Sequence, residues 1–241
     1  CRDDFKAQEK KARQQLNAFV LRHGHHWPRT KSRWTQVHWS WLGQLAFVHA
    51  WQQQVCDDYV AAVRAATERV KDIERRLITE AVPQWSLAPV LDSLRALRGV
   101  DTIAAIILLA ELGDISRFAS PKELMGYLGL VPSVHESGLA TGRRGSITRM
   151  GNTHARRILV EAAWSYRHPA RQTEHLVRKA KAASPEARTI AWRAQKRLCG
   201  RYRTLVGAGK NTKVACVAVA RELVGFVWDI VRHEMPKLHG A

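Results

Sequence analysis

Between Val55 and Leu77 the apolar residues Val55, Tyr59, Val63, Ala66, Val70, Ile73 and Leu77 fall at steps of three or four. That spacing keeps one face of a 3.6-residue helix apolar and leaves the rest polar. It predicts a long amphipathic helix from Leu42 to about Thr79. A stripe of this kind needs a partner, and its own copy in a coiled-coil-like dimer is one. The same period recurs along the chain. Cys1 to His23 reads as helix, with Phe5, Leu16, Phe19 and Val20 as its apolar minority, and "HGHHWP" ends it because Gly and Pro disfavour helix interiors. The tract up to Trp51 is rich in tryptophan.

"VPQWSLAP" holds two prolines and marks a boundary, dividing the chain into residues 1–88, a helical linker with the coiled-coil-like segment, and residues 89–241. Beyond it, Val90 to Leu97, a tight turn at Arg98 to Asp101, and Thr102 to Leu112 read as helix, turn, helix. Ser120 caps a further helix with Pro121 in its first turn. Asn152 or Thr153 caps another, whose apolar face is Ile158, Leu159, Ala162, Ala163 and Tyr166. Basic helices follow from Glu186 to Leu205 and from Lys213 to Arg232, the last with Val217, Val224, Trp228 and Val231 on its buried stripe. No stretch alternates with hairpin turns, so the expected fold is all-α.

Charge narrows the function. Lys and Arg number 39 against 21 Asp and Glu, a net +18 over 241 residues. Such an excess calls for a polyanionic partner, with nucleic acid first and a membrane surface as the rival. The longest apolar run, Ile103 to Ala110, is too short to span a bilayer. Cys1, Cys56, Cys199 and Cys216 are scattered without a CxxC pair, which suits free thiols in a reducing, cytoplasmic compartment. No signal-peptide pattern opens the chain, and residue 1 is Cys, so it is expected to start after processing or inside a longer reading frame.

Two stretches offer chemistry. "LRALRGVDTIAAIILLAELG" has the shape of a helix-hairpin-helix element, in which Gly99 and Val100 would bring backbone close to a phosphate and the next helix would present its N–H groups. An ordinary helical hairpin with Gly as its stop explains it equally, and Asp101 repels phosphate. "GLVPSVHESGLATGRRGSITRMGNTHARR" gathers Arg143, Arg144, Arg149, Arg156 and Arg157 near a helix amino terminus, where guanidinium groups and the helix dipole favour phosphate. Within it Ser137 precedes Gly138, and a hydroxyl on such a turn can act as a nucleophile once a base or nearby cations assist. A serine that simply favours a turn is the plain alternative. "VGAGKNTK" fails as a phosphate loop because Thr204 replaces the first Gly and Asn211 the magnesium-holding hydroxyl. His23, His25 and His26 lack regularly spaced partners, and Asp57, Asp58, Glu111 and Asp114 lie on helices, so no metal ligand is assigned.

The order of these pieces resembles the carboxy-terminal transposase domain of the IS110/IS116/IS902 insertion-sequence family. The turn at Gly99-Val100, "AELGD", "RF", "YLGLVP", Ser137-Gly138, "GSITRMGN" and Arg156-Arg157 carry the resemblance over about Leu91 to Arg167. "VAVARELVGFVWDI" and "KKARQQLNAFVLRHG" extend it. The resemblance implies a DNA transposase that recombines its own element, with Ser137 as nucleophile and Gly138 giving it backbone room. It implies nucleic-acid contacts at Gly99, Val100, Arg143, Arg144, Arg149, Asn152, Arg156 and Arg157. It also implies a structured guide RNA, a dimer or tetramer, and an amino-terminal RuvC-like half whose four acidic residues hold magnesium. Those acidic residues are not in this sequence, so a fragment, a split half and a remnant all remain open. The alternative function is a non-catalytic nucleic-acid-binding or oligomerisation module, and a membrane-surface protein ranks last.

Overall fold

The computed structural model describes the backbone of residues 1–28, 30–137 and 140–239 and the side chains of residues 1–28, 30–133 and 145–236. The chain divides into two compact units, Cys1–Ala81 and Val82–Ala241.

In the first unit, α1 (Arg2–Arg22), α2 (Gln36–Leu42) and α3 (Ala50–Arg76) fold around one apolar cluster. Val63 and Val70 of the predicted stripe are buried, as is Cys56 two turns before Val63. Their cover is α1 of the same chain, lying antiparallel. The Arg2 guanidinium donates to the Glu74 carboxylate at 2.6 and 2.9 Å, the Thr67 hydroxyl donates to Glu9 at 3.1 Å, and the Phe19 ring lies 5.4 Å from Tyr59. The long helix begins later than its spacing predicts. Gly43 ends α2, and α3 restarts after His49, whose backbone N–H donates to the Gln52 side chain as part of a capping box.

The tryptophan-rich tract packs along the middle of this pair, with the Arg13 guanidinium 4.9 Å from the Trp34 ring and that of Arg64 5.3 Å from Trp39. Trp27, Trp34 and Trp41 lie 4.8, 5.0 and 5.6 Å from the His38 ring, which is buried. His38 Nδ1 accepts the Trp34 amide at 3.3 Å. Burial, helped by the charge of Arg33, holds the His38 pKa below the ordinary imidazole value.

The second unit is built around α10 (Thr212–His239). Its residues Leu223, Val224, Val227, Ile230 and Val231 are buried. Packed on α10 are α4 (Ala88–Arg95), α6 (Pro121–Tyr127), α7 (Thr153–Ala163) and α9 (Pro185–Gly207). α5 (Thr102–Leu112) is apolar on nearly every face, as a helix enclosed by others must be, and it buries Ile107, Leu108, Leu109 and Leu112. Each such side chain contributes about 1.5–3 kcal/mol when fully buried. A short α8 (Glu174–Lys179), too brief to show a period in sequence, starts at a Thr173 cap. α10 runs beyond the predicted Arg232. Buried Met235 and Glu234 anchor its last turns, and the Ser184 hydroxyl donates to Glu234 at 2.6 Å.

The fold is all-α apart from one antiparallel ribbon that the sequence did not predict. β1 (Pro132–Ser137) pairs with β2 (Ala140–Ile147), Pro132 opposite Ile147 and Ser137 opposite Ala140. The two strands pair only with each other. A ribbon outside any larger sheet needs no regular apolar alternation, so its signal is absent from the sequence.

The pKa of folded His38 lies below that of the unfolded chain. The stability of the first unit is therefore expected to fall as pH drops below about 6.5. An acid titration followed by tryptophan emission should show this fall, and His38→Gln should flatten it between pH 6.5 and 5.

Candidate nucleic-acid interface

The ribbon's two legs are locked together at their base. The Thr148 amide donates to the Val131 carbonyl at 2.9 Å and the Arg149 amide to the Gly129 carbonyl at 3.1 Å. Gly151 has φ +75°, and a Cβ there would lie 1.9 Å from the Tyr127 carbonyl oxygen. Only glycine lets the returning leg cross the end of α6 this closely. The Arg156 guanidinium then ties both legs, donating to the carbonyls of Leu128 at 2.9 Å and Met150 at 3.0 Å and to the Thr153 hydroxyl at 3.0 Å.

A second tie holds α7 against α5. Asn152 caps α7 by accepting the Ala155 amide at 2.8 Å, while its Nδ2 donates to Glu111 at 2.7 Å. His154 Nδ1 lies 2.8 Å from the other Glu111 oxygen. Hydrogen bonds from Asn152 and then His154 outweigh partial desolvation and hold the Glu111 pKa below the ordinary carboxylate value.

Beside this base lies a groove of about 830 Å³ between α6, the foot of β2, α9 and the start of α10. Six cationic side chains line it: Lys122, Arg149, Arg197, Arg201, Lys213 and Arg221. Its one carboxylate, Glu222, is engaged by Arg197 at 2.9 Å and Arg201 at 3.0 Å. Arg149 holds φ +58°, a left-handed backbone uncommon outside glycine. The arrangement suits a polyanion held by several cations at once.

The structure distributes the predicted site residues unevenly. Arg149 lines the groove, and Arg157 is exposed with Glu161 4.0 Å away. Asn152 and Arg156 direct their polar groups to the chain itself. Gly99 (φ +84°) faces α7 so closely that a Cβ would meet the Ala162 carbonyl oxygen at 2.3 Å, and Val100 is fully buried. The carbonyls of Leu97 and Val100 accept the Lys179 ammonium at 2.9 Å each, and burial lowers that lysine's pKa to about 8. Asp101 accepts the Ala104 amide at 2.7 Å and so occupies the amino terminus of α5. Packing thus accounts for the Gly99 turn. Ser137 ends β1, and Arg143 and Arg144 pair on β2 with His135 and Val134. Gly138 and the side chains of these strand residues lie outside the described residues.

Sequence reasoning missed Lys122, Arg197, Arg201 and Arg221 as a group. Their one linear trace is the four-residue step from Arg193 through Arg197 to Arg201, a row on one face of α9. "VGAGKNTK" is the turn between α9 and α10, and its Lys213 reaches the groove. The His23 and His25 rings pack on Phe47 at 5.4 and 5.0 Å. Among the described residues no three His, Cys, Asp or Glu side chains converge as a metal site, and no helix is long and apolar enough to cross a membrane.

Residues 91–195 match the family model described as transposase IS116/IS110/IS902 family. A protein of Sinorhizobium fredii named as a transposase is 46% identical over 220 residues, which cover 91% of this chain and 52% of that protein. The transposase for insertion sequence element IS1533 of Leptospira borgpetersenii is 26% identical over 206 residues, 85% of this chain and 59% of its own length. A Pseudomonas aeruginosa protein named as a family 20 transposase is 33% identical over 73 residues, 30% of this chain and 21% of that one. The chain spans about half the length of the first two relatives.

Two variants probe this geometry. Gly151→Ala should destabilise the second unit by about 2–4 kcal/mol through backbone collision, read as a lower denaturant midpoint. Glu111→Gln should cost about 1 kcal/mol at neutral pH. The folded Glu111 pKa is depressed, so its contribution is present above the ordinary carboxylate range and lost as pH falls through the folded value. The two proteins should therefore start to converge in stability as pH drops below the ordinary carboxylate range and meet once it has passed the lower folded value.

Proposed function

We propose, from the match of residues 91–195 to the IS116/IS110/IS902 transposase family and the 46% identity to a transposase of Sinorhizobium fredii, that the chain belongs to this family and serves as part of a DNA transposase that recombines an insertion element. The observation that carries this reading is the shared base of ribbon and groove. β1 ends at Ser137, and the foot of β2, Gly145 to Ile147, lines the six-cation groove. The segment that bears the hydroxyl is therefore anchored in the wall that would hold a nucleic-acid backbone.

In this reading Ser137 is the nucleophile. Its oxygen attacks a DNA phosphorus, its proton passes to a base, and the departing 3′ or 5′ oxygen of the broken strand carries the charge away. A phosphoserine ester links protein and strand until a new hydroxyl reverses the step. Arg143, Arg144, Arg149 and Arg157 supply cations along the backbone, and Gly138 leaves room beside the serine. Asn152 and Arg156 act through position, holding the start of α7 and the legs of the ribbon. A guide RNA and assembly as a dimer or tetramer complete the proposal, with magnesium chemistry assigned to a RuvC-like half. Its place of action would be the bacterial cytoplasm, at the nucleoid.

The test is strand exchange by the intact enzyme. Ser137→Ala should abolish exchange and the covalent protein–DNA band on a denaturing gel, while DNA affinity stays within about twofold, since one neutral hydroxyl contributes little to a salt-dominated contact. Retained exchange by that variant would overturn the nucleophile. A wild-type chain that binds DNA yet forms no adduct in any reconstitution would favour a binding module instead.

A further inference from the structure

The groove has a feature that phosphate binding does not require. Between its cations lies an apolar floor made by Met125, Ile147, Val214 and Val217. Val214 is 58% exposed although it sits at the start of a helix among Lys213, Arg201 and Arg221. An apolar residue left open among cations is out of place on a surface that only tracks a phosphate backbone. It gains stability only when something apolar covers it.

Resting on the transposase reading, we infer that this groove holds an unpaired nucleotide segment. The base lies on the apolar floor, and the flanking phosphates lie on Lys122, Arg149, Arg197, Arg201, Lys213 and Arg221. A duplex offers phosphates along its outside but keeps its base faces in the stack, so it would satisfy the cations and leave the floor wet. A single strand presents both surfaces together, and proteins that hold such strands pair a cationic channel with a platform for the bases, here aliphatic where many use aromatic rings. The volume, about 830 Å³, falls in the range of roughly 300–1,000 Å³ that suits small-ligand clefts. The platform is aliphatic, so it accepts any base face and carries no hydrogen-bond code for sequence. Glu222 does not oppose this, because Arg197 and Arg201 already neutralise it.

The inference is tested on the full chain by fluorescence anisotropy with three probes of equal length: a single-stranded oligonucleotide, the same strand with abasic residues at its centre, and a blunt duplex. The intact strand should bind about fivefold more tightly than the abasic strand, the low end of what a base gains on an aromatic platform, because the floor here is aliphatic. Val214→Asn, an exposed and fold-neutral change, should lower affinity for the intact strand several-fold and leave the abasic strand and the salt dependence unchanged. Arg149→Gln with Arg221→Gln should weaken both strands and reduce the salt slope by roughly 1.4, two phosphates at about 0.7 each. Equal binding of intact and abasic strands would overturn the base platform. Duplex binding as tight as that of the single strand, lost equally in the arginine variants, would make the groove a duplex-backbone site and leave the transposase reading standing. No binding by any probe, with an acidic peptide bound instead, would overturn both.

Discussion

The contact between the returning leg of the ribbon and the end of α6 is the constraint from which the rest of the second unit's surface follows. Residue 151 must be glycine because the Tyr127 carbonyl occupies the space of a side chain. With that crossing fixed, Arg156 can reach the carbonyls of Leu128 and Met150 together. The ribbon's feet are then held at one place on the helical body, and the foot of β2 becomes a wall of the groove. A backbone crossing this tight tolerates no gradual loosening, since close-packed interiors respond to added atoms by shifting as a whole.

Polar residues in this region divide by what they spend their hydrogen bonds on. Asn152, His154 and Arg156 sit in the segment richest in nucleic-acid-like signals, yet their polar groups engage Glu111, backbone carbonyls and a neighbouring hydroxyl. A guanidinium already satisfied by two carbonyls is a fixture of the fold. Side chains with less to do at home, such as exposed Arg149 and Lys213, remain available to a polyanion. Residue type alone does not separate the two groups, because Arg156 and Arg149 are both guanidinium cations beside a helix start.

The amino-terminal unit shows a similar division. The stripe from Val55 to Leu77 calls for a cover, and its spacing cannot say whose. The cover is α1, set antiparallel by Arg2 against Glu74 at one end and by Phe19 against Tyr59 at the other. The tryptophans, conspicuous in sequence and without evident purpose there, pack around His38, whose burial lowers its pKa. A second copy is not needed to bury Val63 or Val70, although exposed Val48 and Trp51 lie elsewhere on this unit.

The amino-acid sequence by itself determined most of the helices, their caps at Ser120 and Asn152 and the excess of positive charge. Each of these depends on residues within a few positions of one another, where period and local hydrogen bonding decide. It also carried the family resemblance, through motifs whose order survives without knowledge of their contacts. Only the tertiary structure decided that "GSITRMGN" forms the foot of a ribbon, that Gly99 answers to Ala162 rather than to open space, and that Lys122, Arg149, Arg197 and Arg221 meet around one apolar floor. The physical reason is distance along the chain. The groove draws on α6, β2, α9 and α10, segments brought together by burial of the α10 core, and side-chain spacing on any one of them holds no record of the others.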